Sequence, residues 1–319
     1  MDDSRMTPAV VATGFGGPEV LSLIDTPVGP PGPGEVLIEV RAAGTNPVDH
    51  KMYSGAYGRD PALFPMRLGR EAAGVIALAD GVEGPAGPLR IGDEVVVFPV
   101  TGSYAARLVV PASSVVPKPS TLSFEQASGL MLTGATAVHA LTAVRLGPGD
   151  TVVIHGASGG VGLMAVQLAA ALGARVIATA SESGHAYLRE LGAEPVAYGA
   201  GLLERIGAVA SGGVDAAVDA VGSAEAIDTS VALVADRNRI VTLVAFQRGF
   251  DLGLKVIGGA PGADPGTEVR AAARLELTRL AQAGELRVLV AATYPLGEVA
   301  AAHRALASGH TRGKIILVP

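Results

Sequence analysis

The chain has 319 residues, room for two domains and a sizeable core, and its 17% of charged residues leave a net charge of -6. With no basic excess, nucleic acid is excluded as an expected partner. Cysteine is absent, which excludes disulfides, thiolate metal sites and a cysteine nucleophile together.

Residues 1–6 are polar, and no apolar core of signal-peptide length follows them, so a cytoplasmic location is expected. The mean hydropathy of +0.42 comes from Ala and Gly. Gly and Pro interrupt every apolar run before the ~18 residues that a membrane span needs. Up to about residue 119 the apolar runs are short, β-branched and separated by Pro or Gly, at 36–40, 73–77, 94–98 and 105–110. This pattern predicts a compact all-β unit. Residues 27–35 form a stiff connector and residues 81–93 a turn-rich loop. The period then changes. Ser123, with Gln126 three residues later, forms a capping box that opens a helix running towards Thr142.

The next segment is the most informative. An apolar strand, Thr151–His155, enters the turn HGASGGVG and then a helix over 161–172. Gly156 permits the tight turn, Gly159 lets a pyrophosphate approach the main chain, and Gly162 lets the helix lie against the strand. The free N–H groups and positive dipole end of that helix face the phosphates. The dinucleotide-binding set is therefore Gly156, Ala157, Ser158, Gly159, Gly160, Val161 and Gly162, although the spacing is GxxGxxG and not GxGxxG. Gly173 closes the helix, and Arg175–Ala180 is a second strand. Further strands at 215–220 and 240–245, with helical stretches between, predict a parallel sheet wound on both faces. The segment 246–266 ends in GGAPGADPG and is expected to be mobile. A strand at 288–292, a helix at 296–308 and a last strand, Lys314–Val318, complete the chain.

Eight blocks in order carry a family resemblance: AAGTNPVDHKMYSG (42–55), GREAAGV (69–75), GDEVV (92–96), LTGATA (132–137), HGASGGVG (155–162), LGAEPVAY (191–198), DAVG (219–222) and GHTRGKIIL (309–317). The chain resembles the zinc-independent quinone oxidoreductase (zeta-crystallin-like) branch of the medium-chain dehydrogenase/reductase superfamily. The resemblance implies an α/β fold, a Rossmann doubly wound parallel sheet inserted into a GroES-like β-rich catalytic domain. The expected domains are 1–122 plus 288–319 and, between them, 123–287. It also implies an active site in a cleft between the domains.

The resemblance bears on metal. Zinc-dependent relatives place a Cys and then a His at the positions that match Asn46 and Arg70, and none of their ligands exists here. An amide and a guanidinium cannot replace them, so no metal is expected. The six histidines, His50, His139, His155, His185, His303 and His310, are scattered and read as polar tips on surfaces or helix faces. Without a Lewis acid, the natural reaction is hydride delivery to an acceptor that is already electrophilic, a quinone or a conjugated enone.

Cofactor choice follows from the end of the second strand. An NAD site places a carboxylate there, whereas this chain has Ala180 and Ser181. Ser181 offers a hydroxyl, His185 lies a turn further on, and Tyr198 matches a tyrosine that contacts the 2′-phosphate in the resembled family. This favours NADPH, against Glu182 and the lack of a nearby Lys or Arg. Arg312 or Lys314 is the candidate source of positive charge.

Among catalytic candidates, Asn46, at the emptied zinc position, is expected to donate to the developing oxyanion. Tyr57 matches a pocket tyrosine and is expected to donate a hydrogen bond or a proton. Tyr53 is a weaker candidate, Lys51 stands where some relatives carry a tyrosine, and Asp49 reads as a structural hydrogen-bonding residue. Thr136 matches a threonine near the nicotinamide. Val221, Gly222, Ala245 and Phe246 follow strands and are expected to line the nicotinamide side. Arg70 and Glu71 read as an ion pair. The expected activity is NADPH-dependent quinone reduction. The alternatives are C=C reduction of enones or enoyl thioesters, and a non-catalytic NADP(H)-binding protein. A homodimer paired through the apolar strand 240–246 at the sheet edge is the expected assembly.

Overall fold

The structure is a computed structural model and describes residues 5–309 and 311–319. His310, and residues 1–4 of the polar start, lie outside the described residues. The chain divides into two compact units, one running up to Leu132 and resuming at Arg274–Pro319, the other Thr133–Ala273. The expected borders, 122/123 and 287/288, lie further out along the chain.

The first unit opens with the hairpin β1 (Arg5–Ala12) and β2 (Leu21–Val28), followed by β3 (Glu35–Gly44), helix α1 (Pro47–Tyr53), β4 (Met66–Arg67) and β5 (Ala72–Leu78). A small hairpin, β6 (Glu83–Gly84) and β7 (Gly87–Pro88), precedes β8 (Glu94–Val97), β9 (Arg107–Pro111) and β10 (Val115–Pro117). The all-β texture read from the sequence is therefore present. Helix α2 (Phe124–Ala127) carries the expected capping box, Ser123 Oγ accepting from Gln126 N–H and Gln126 Oε1 from Ser123 N–H. The single helix expected from 123 to 142 does not form. Gly129 and Leu130 N–H groups bond back to Gln126 and Ala127 carbonyls, a tight turn that ends α2 before α3 (Met131–Ala143) begins.

The second unit continues with β11 (Thr151–His155), α4 (Gly160–Ala171), β12 (Arg175–Ala180), α5 (His185–Glu190), β13 (Ala193–Ala197), α6 (Leu202–Val209), β14 (Ala216–Asp219), α7 (Ala224–Leu233), β15 (Ile240–Thr242), α8 (Phe246–Asp251) and β16 (Lys255–Val256). Its strands are all parallel, in the order β13-β12-β11-β14-β15-β16. Numbered within the sheet this is 3-2-1-4-5-6, the doubly wound Rossmann order. The switch point lies between β11 and β14, beyond whose carboxyl ends ligands bind.

Two readings of this sheet change. The apolar run at 240–245 is a strand only to Thr242, because Thr242 Oγ1 accepts the N–H groups of Val244 (3.3 Å) and Ala245 (3.0 Å) and turns the chain. Nor is it a sheet edge, since β15 pairs with β14 on one side and β16 on the other. The run 240–246 is therefore not open to a partner. The segment expected to be mobile is tied down at Asp264. That residue's N–H bonds to Val256 O, its carbonyl accepts from Gly258 N–H, and its carboxylate meets His139 Nε2 at 3.1 Å and Gly266 N–H at 2.8 Å.

Helix α9 (Thr267–Gln282) leads back to the first unit, which closes with β17 (Val290–Pro295), α10 (Val299–Ala307) and β18 (Lys314–Val318). β17 starts later than the predicted 288–292, and a single 3-10 turn, Leu296–Glu298, precedes α10. The sheet order is β10-β8-β5-β3-β18-β17, so β18, antiparallel to β3 and parallel to β17, is an interior strand. That placement explains its unbroken burial. Ile315, Ile316 and Leu317 are almost fully shielded, each worth about 2 kcal/mol in transfer terms. Ile315 and Leu317 join a core with Val36, Ile38, Tyr53, Leu68, Val97 and Tyr104.

Candidate functional site

In the second unit the turn after β11 has the geometry its glycines predict. Gly156 has φ +71°, a conformation that favours glycine. A Cβ on Gly162 would overlap Gly156 O and lie 2.6 Å from Ala157 Cα, so only glycine lets α4 start this close to the strand. Gly159 is the N-cap, and Gly160, Val161 and Gly162 form the first turn of α4. Those first-turn N–H groups have no partner within the helix and could hold an anion. Ala157 N–H bonds to Thr179 O, which fixes the turn against β12. Ser158 Oγ is shielded from solvent yet has no hydrogen-bond partner. A buried hydroxyl left open in this way fits a ligand oxygen.

Beyond β12, Ala180 is buried while Ser181 and Glu182 are exposed. Ser181 Oγ lies 3.1 Å from Ser183 Oγ, and His185 Nε2 lies 3.3 Å from Ala180 O. Tyr198 is 60% exposed on the loop after β13. Sequence reasoning missed what holds that loop. Arg205 on α6 donates to the carbonyls of Ala197, Gly199 and Ala200, and Glu225 Oε2 accepts from Gly199 N–H at 2.9 Å.

At the end of β14, buried Asp219 organises the next loop. Its Oδ1 accepts from Val221 and Gly222 N–H groups at 3.0 and 2.8 Å, and its Oδ2 from Thr242 Oγ1 at 2.6 Å. The sequence signal was the acid of DAVG, read only as part of a block. Val221 is half exposed as a result, and Gly222 has φ +79°. Ala245 and Phe246 line a groove of about 590 Å³ with Val244, Phe250 and Pro261. Thr136 is buried in α3.

In the first unit Asn46 caps α1, and its side chain is 1% exposed. Both amide hydrogens are committed, Nδ2 donating to Gly44 O at 3.3 Å and to Glu71 Oε1 at 3.1 Å. The expectation that Asn46 donates to a substrate oxygen is therefore corrected: its amide belongs to the frame. Lys314 is corrected as well. Its Nζ is not offered to a phosphate, because it donates to Thr45 O (2.8 Å), Asn46 Oδ1 (2.6 Å) and Glu71 Oε1 (3.0 Å) and is buried. The ion pair of Glu71 is accordingly with Lys314 and not with Arg70, whose guanidinium meets Met52 Sδ. Glu71 Oε2 caps α3 by accepting from Leu132 N–H at 2.8 Å. Arg312 is exposed just before β18.

Around this frame lie two further buried groups. Asp49 Oδ2 accepts from Asn46 N–H (3.0 Å) and Tyr104 OH (2.7 Å), and its carboxyl is pushed up to about 6, chiefly by burial. Tyr53 OH lies 2.8 Å from His303 Nδ1, both inside the core. Three of the histidines read as polar tips on surfaces or helix faces, His139, His155 and His303, are buried. Burial pulls His155 and His303 down to about 4, so both are neutral at pH 7. Tyr57, 41% exposed, is the open candidate in this unit. Partial burial raises its phenol, against the charge of Arg70, and keeps it protonated.

The families described as "Alcohol dehydrogenase GroES-like domain" and "Zinc-binding dehydrogenase" match residues 32–120 and 191–317. A quinone oxidoreductase of Pseudomonas aeruginosa is 33% identical over 323 residues, 96% of this chain and 97% of that protein. The chain belongs to the medium-chain dehydrogenase/reductase superfamily. A rat quinone oxidoreductase is 42% identical over 187 residues, 57% of this chain and 55% of the rat protein, so that match spans about half of the relative. Among solved structures, one described as an NAD-dependent alcohol dehydrogenase has a TM-score of 0.84 at 30% identity, covering 98% of this chain and 99% of that one. A quinone oxidoreductase from Coxiella burnetii has a TM-score of 0.82 at 30% identity over 99% and 100% of the two chains. A mycobacterial protein solved with NADPH has 0.83 at 30% identity over 98% and 100%.

Zinc, named in one of the two matching families, does not fit this member of the superfamily. No cysteine exists to supply a thiolate. At the first of the two ligand positions, an ammonium already sits 2.6 Å from Asn46 Oδ1. Among the described residues no three His, Asp or Glu side chains group as metal ligands. Nor is any helix among them long and apolar enough to cross a membrane.

Proposed function

We propose that this chain is an NADPH-dependent reductase of quinones that works without zinc. The observation that carries the reading is the turn after β11. Its Gly162 leaves no room for a side chain, Gly156 has a positive φ, its helix presents open N–H groups, and its Ser158 hydroxyl is buried without a partner. These features fit a pyrophosphate. The absence of a carboxylate on Ala180 and Ser181, with Tyr198 exposed on a pinned loop, supports a 2′-phosphate over a free 2′-hydroxyl. Ser181, His185 and Tyr198 would hold that phosphate. Thr136, Val221, Gly222, Ala245 and Phe246 would flank the nicotinamide.

When bound, NADPH supplies a hydride. The chain's own contribution is to orient it through the turn and the Asp219-ordered loop, and to deliver a proton. Tyr57 is the candidate donor, because its phenol is protonated, partly exposed and free of the frame that immobilises Asn46. With no Lewis acid to polarise a carbonyl, the acceptor must carry its own electrophilic π-system, as a quinone does. Small quinones and enones are the substrate class, and a cytoplasmic homodimer remains part of the proposal.

The test is oxidation of NADPH and of NADH by purified protein with 9,10-phenanthrenequinone, together with a panel of enones. Faster turnover with NADPH and quinone is the expected result. No turnover with any acceptor, despite measured NADPH binding, leaves a non-catalytic binder and refutes the reading. Loss of enone turnover alone in Tyr57→Phe assigns the phenol to C=C reduction.

A further inference from the structure

The zinc mismatch leaves open what balances the buried charge beside Asn46, and the cluster around Lys314 supplies it. Three oxygens surround the ammonium at 2.6 to 3.0 Å: Asn46 Oδ1, Thr45 O and Glu71 Oε1. A lysine ammonium has three N–H donors, and all three are used. The distances are those of charge-assisted hydrogen bonds.

The surroundings are built for this occupant. Glu71 is fully buried, and its two oxygens accept from Lys314, Asn46 Nδ2 and Leu132 N–H, so the carboxylate is hydrogen-bonded at both ends. A Cβ on Gly44 would overlap Ser128 O and lie 2.8 Å from Glu71 Oε1, so the strand residue beside the carboxylate must be small. Charge also matches. The ammonium and the one carboxylate that touches it form a neutral pair.

We propose that Thr45 O, Asn46 Oδ1 and Glu71 Oε1 form a cation cradle selective for a primary ammonium, and that Lys314 is its tethered occupant. The lysine neutralises the buried Glu71 carboxylate and fixes the Asn46 side chain. The cradle is a binding site in its own right, and its ligand class is a primary alkylammonium.

The test empties the site. Lys314→Ala keeps the β-carbon and removes a fragment with the shape of n-propylammonium. The variant is refolded from urea with and without that ion, and its melting temperature is measured. Emptying the cradle is expected to lower the melting temperature by roughly 5–10 °C, and n-propylammonium to restore at least half of the loss. Tetramethylammonium, a cation without N–H groups, and 1-propanol, the same length without charge, are expected to restore none. Lys314→Ala/Glu71→Gln is expected not to respond to n-propylammonium. Rescue by ZnCl₂ but not by n-propylammonium, or rescue by tetramethylammonium equal to that by n-propylammonium, overturns the proposal, as does a wild-type melting temperature that falls with EDTA. If Lys314→Ala does not refold under any condition, Lys314→Met is compared with Lys314→Met/Glu71→Gln. A double variant no more stable than the single one also overturns it.

Discussion

Replacing Asp49 by asparagine should change how the stability of the first unit depends on pH, by an amount the structure fixes. Asp49 is fully buried. One carboxylate oxygen accepts from Asn46 N–H and Tyr104 OH, and the other has no partner. Desolvation is the largest influence on the group. It outweighs the Tyr104 and Asn46 hydrogen bonds and the charges of Arg70 and Lys314, lifting the carboxyl from 3.8 to about 6. At about 1.4 kcal/mol per pH unit, that rise corresponds to ~3 kcal/mol. Below pH ~3 the group is neutral in both folded and unfolded chains and costs nothing. Between pH ~4 and ~6 the unfolded chain loses its proton first, so stability falls as pH rises. Above pH ~6 both states are ionised and the full ~3 kcal/mol is lost. A carboxamide at this position cannot titrate, so wild type minus Asp49→Asn stability should fall by ~3 kcal/mol from pH 3 to pH 8, nearly all of it below pH 6.5. Urea unfolding followed by circular dichroism at five pH values gives that difference directly, free of groups common to both proteins. A difference that stays flat within ~1 kcal/mol, or rises with pH, would show that Asp49 is not buried as an ionisable group.

Two other substitutions probe the remaining features. Gly162→Val puts a branched side chain where even a Cβ overlaps Gly156 O, and the turn must shift by an overpacking cost of roughly 1–3 kcal/mol. NADPH affinity, measured by fluorescence titration, should fall at least tenfold; a change under twofold would remove the turn from the cofactor site. Tyr53→Phe deletes the hydroxyl 2.8 Å from buried His303 Nδ1 and should lower unfolding free energy by about 1–2 kcal/mol. An unchanged denaturation midpoint would show that the pair contributes nothing to folding.

Local chemistry was legible in the sequence, and long-range pairing was not. The strand, the glycine turn and the helix at residues 151–171 follow from neighbours a few positions apart, as does the Ser123–Gln126 box. Each of these rests on backbone conformations that particular residue types favour or forbid. Lys314 shows the opposite case. Its partner Glu71 lies 243 residues away, and nothing near Lys314 distinguishes a buried cation from a solvated one. Asn46 was found for its position, but its role changed once the acceptors of its amide were known. The apolar run at 240–245 had the composition of a long strand, yet one hydroxyl, Thr242 Oγ1, captured the N–H groups that would have extended it. The buried histidines failed for a simpler reason. An average preference for half-exposed sites says nothing about His155, held in the middle of a parallel sheet beside Thr179.

The interior position of β18 has a consequence for how the protein is made. On the ribosome, β3 and Glu71 emerge long before β18, separated from it by every residue of the second unit. Until the last strand arrives, the nascent first unit shows an unpaired margin on β3 and a carboxylate whose neutralising partner has not yet been synthesised. The two defects are repaired in one event, because the strand that fills the gap also carries Lys314. Closure of the first unit thus waits for synthesis of β18, and the interval before it is when a holding chaperone would find the most to bind.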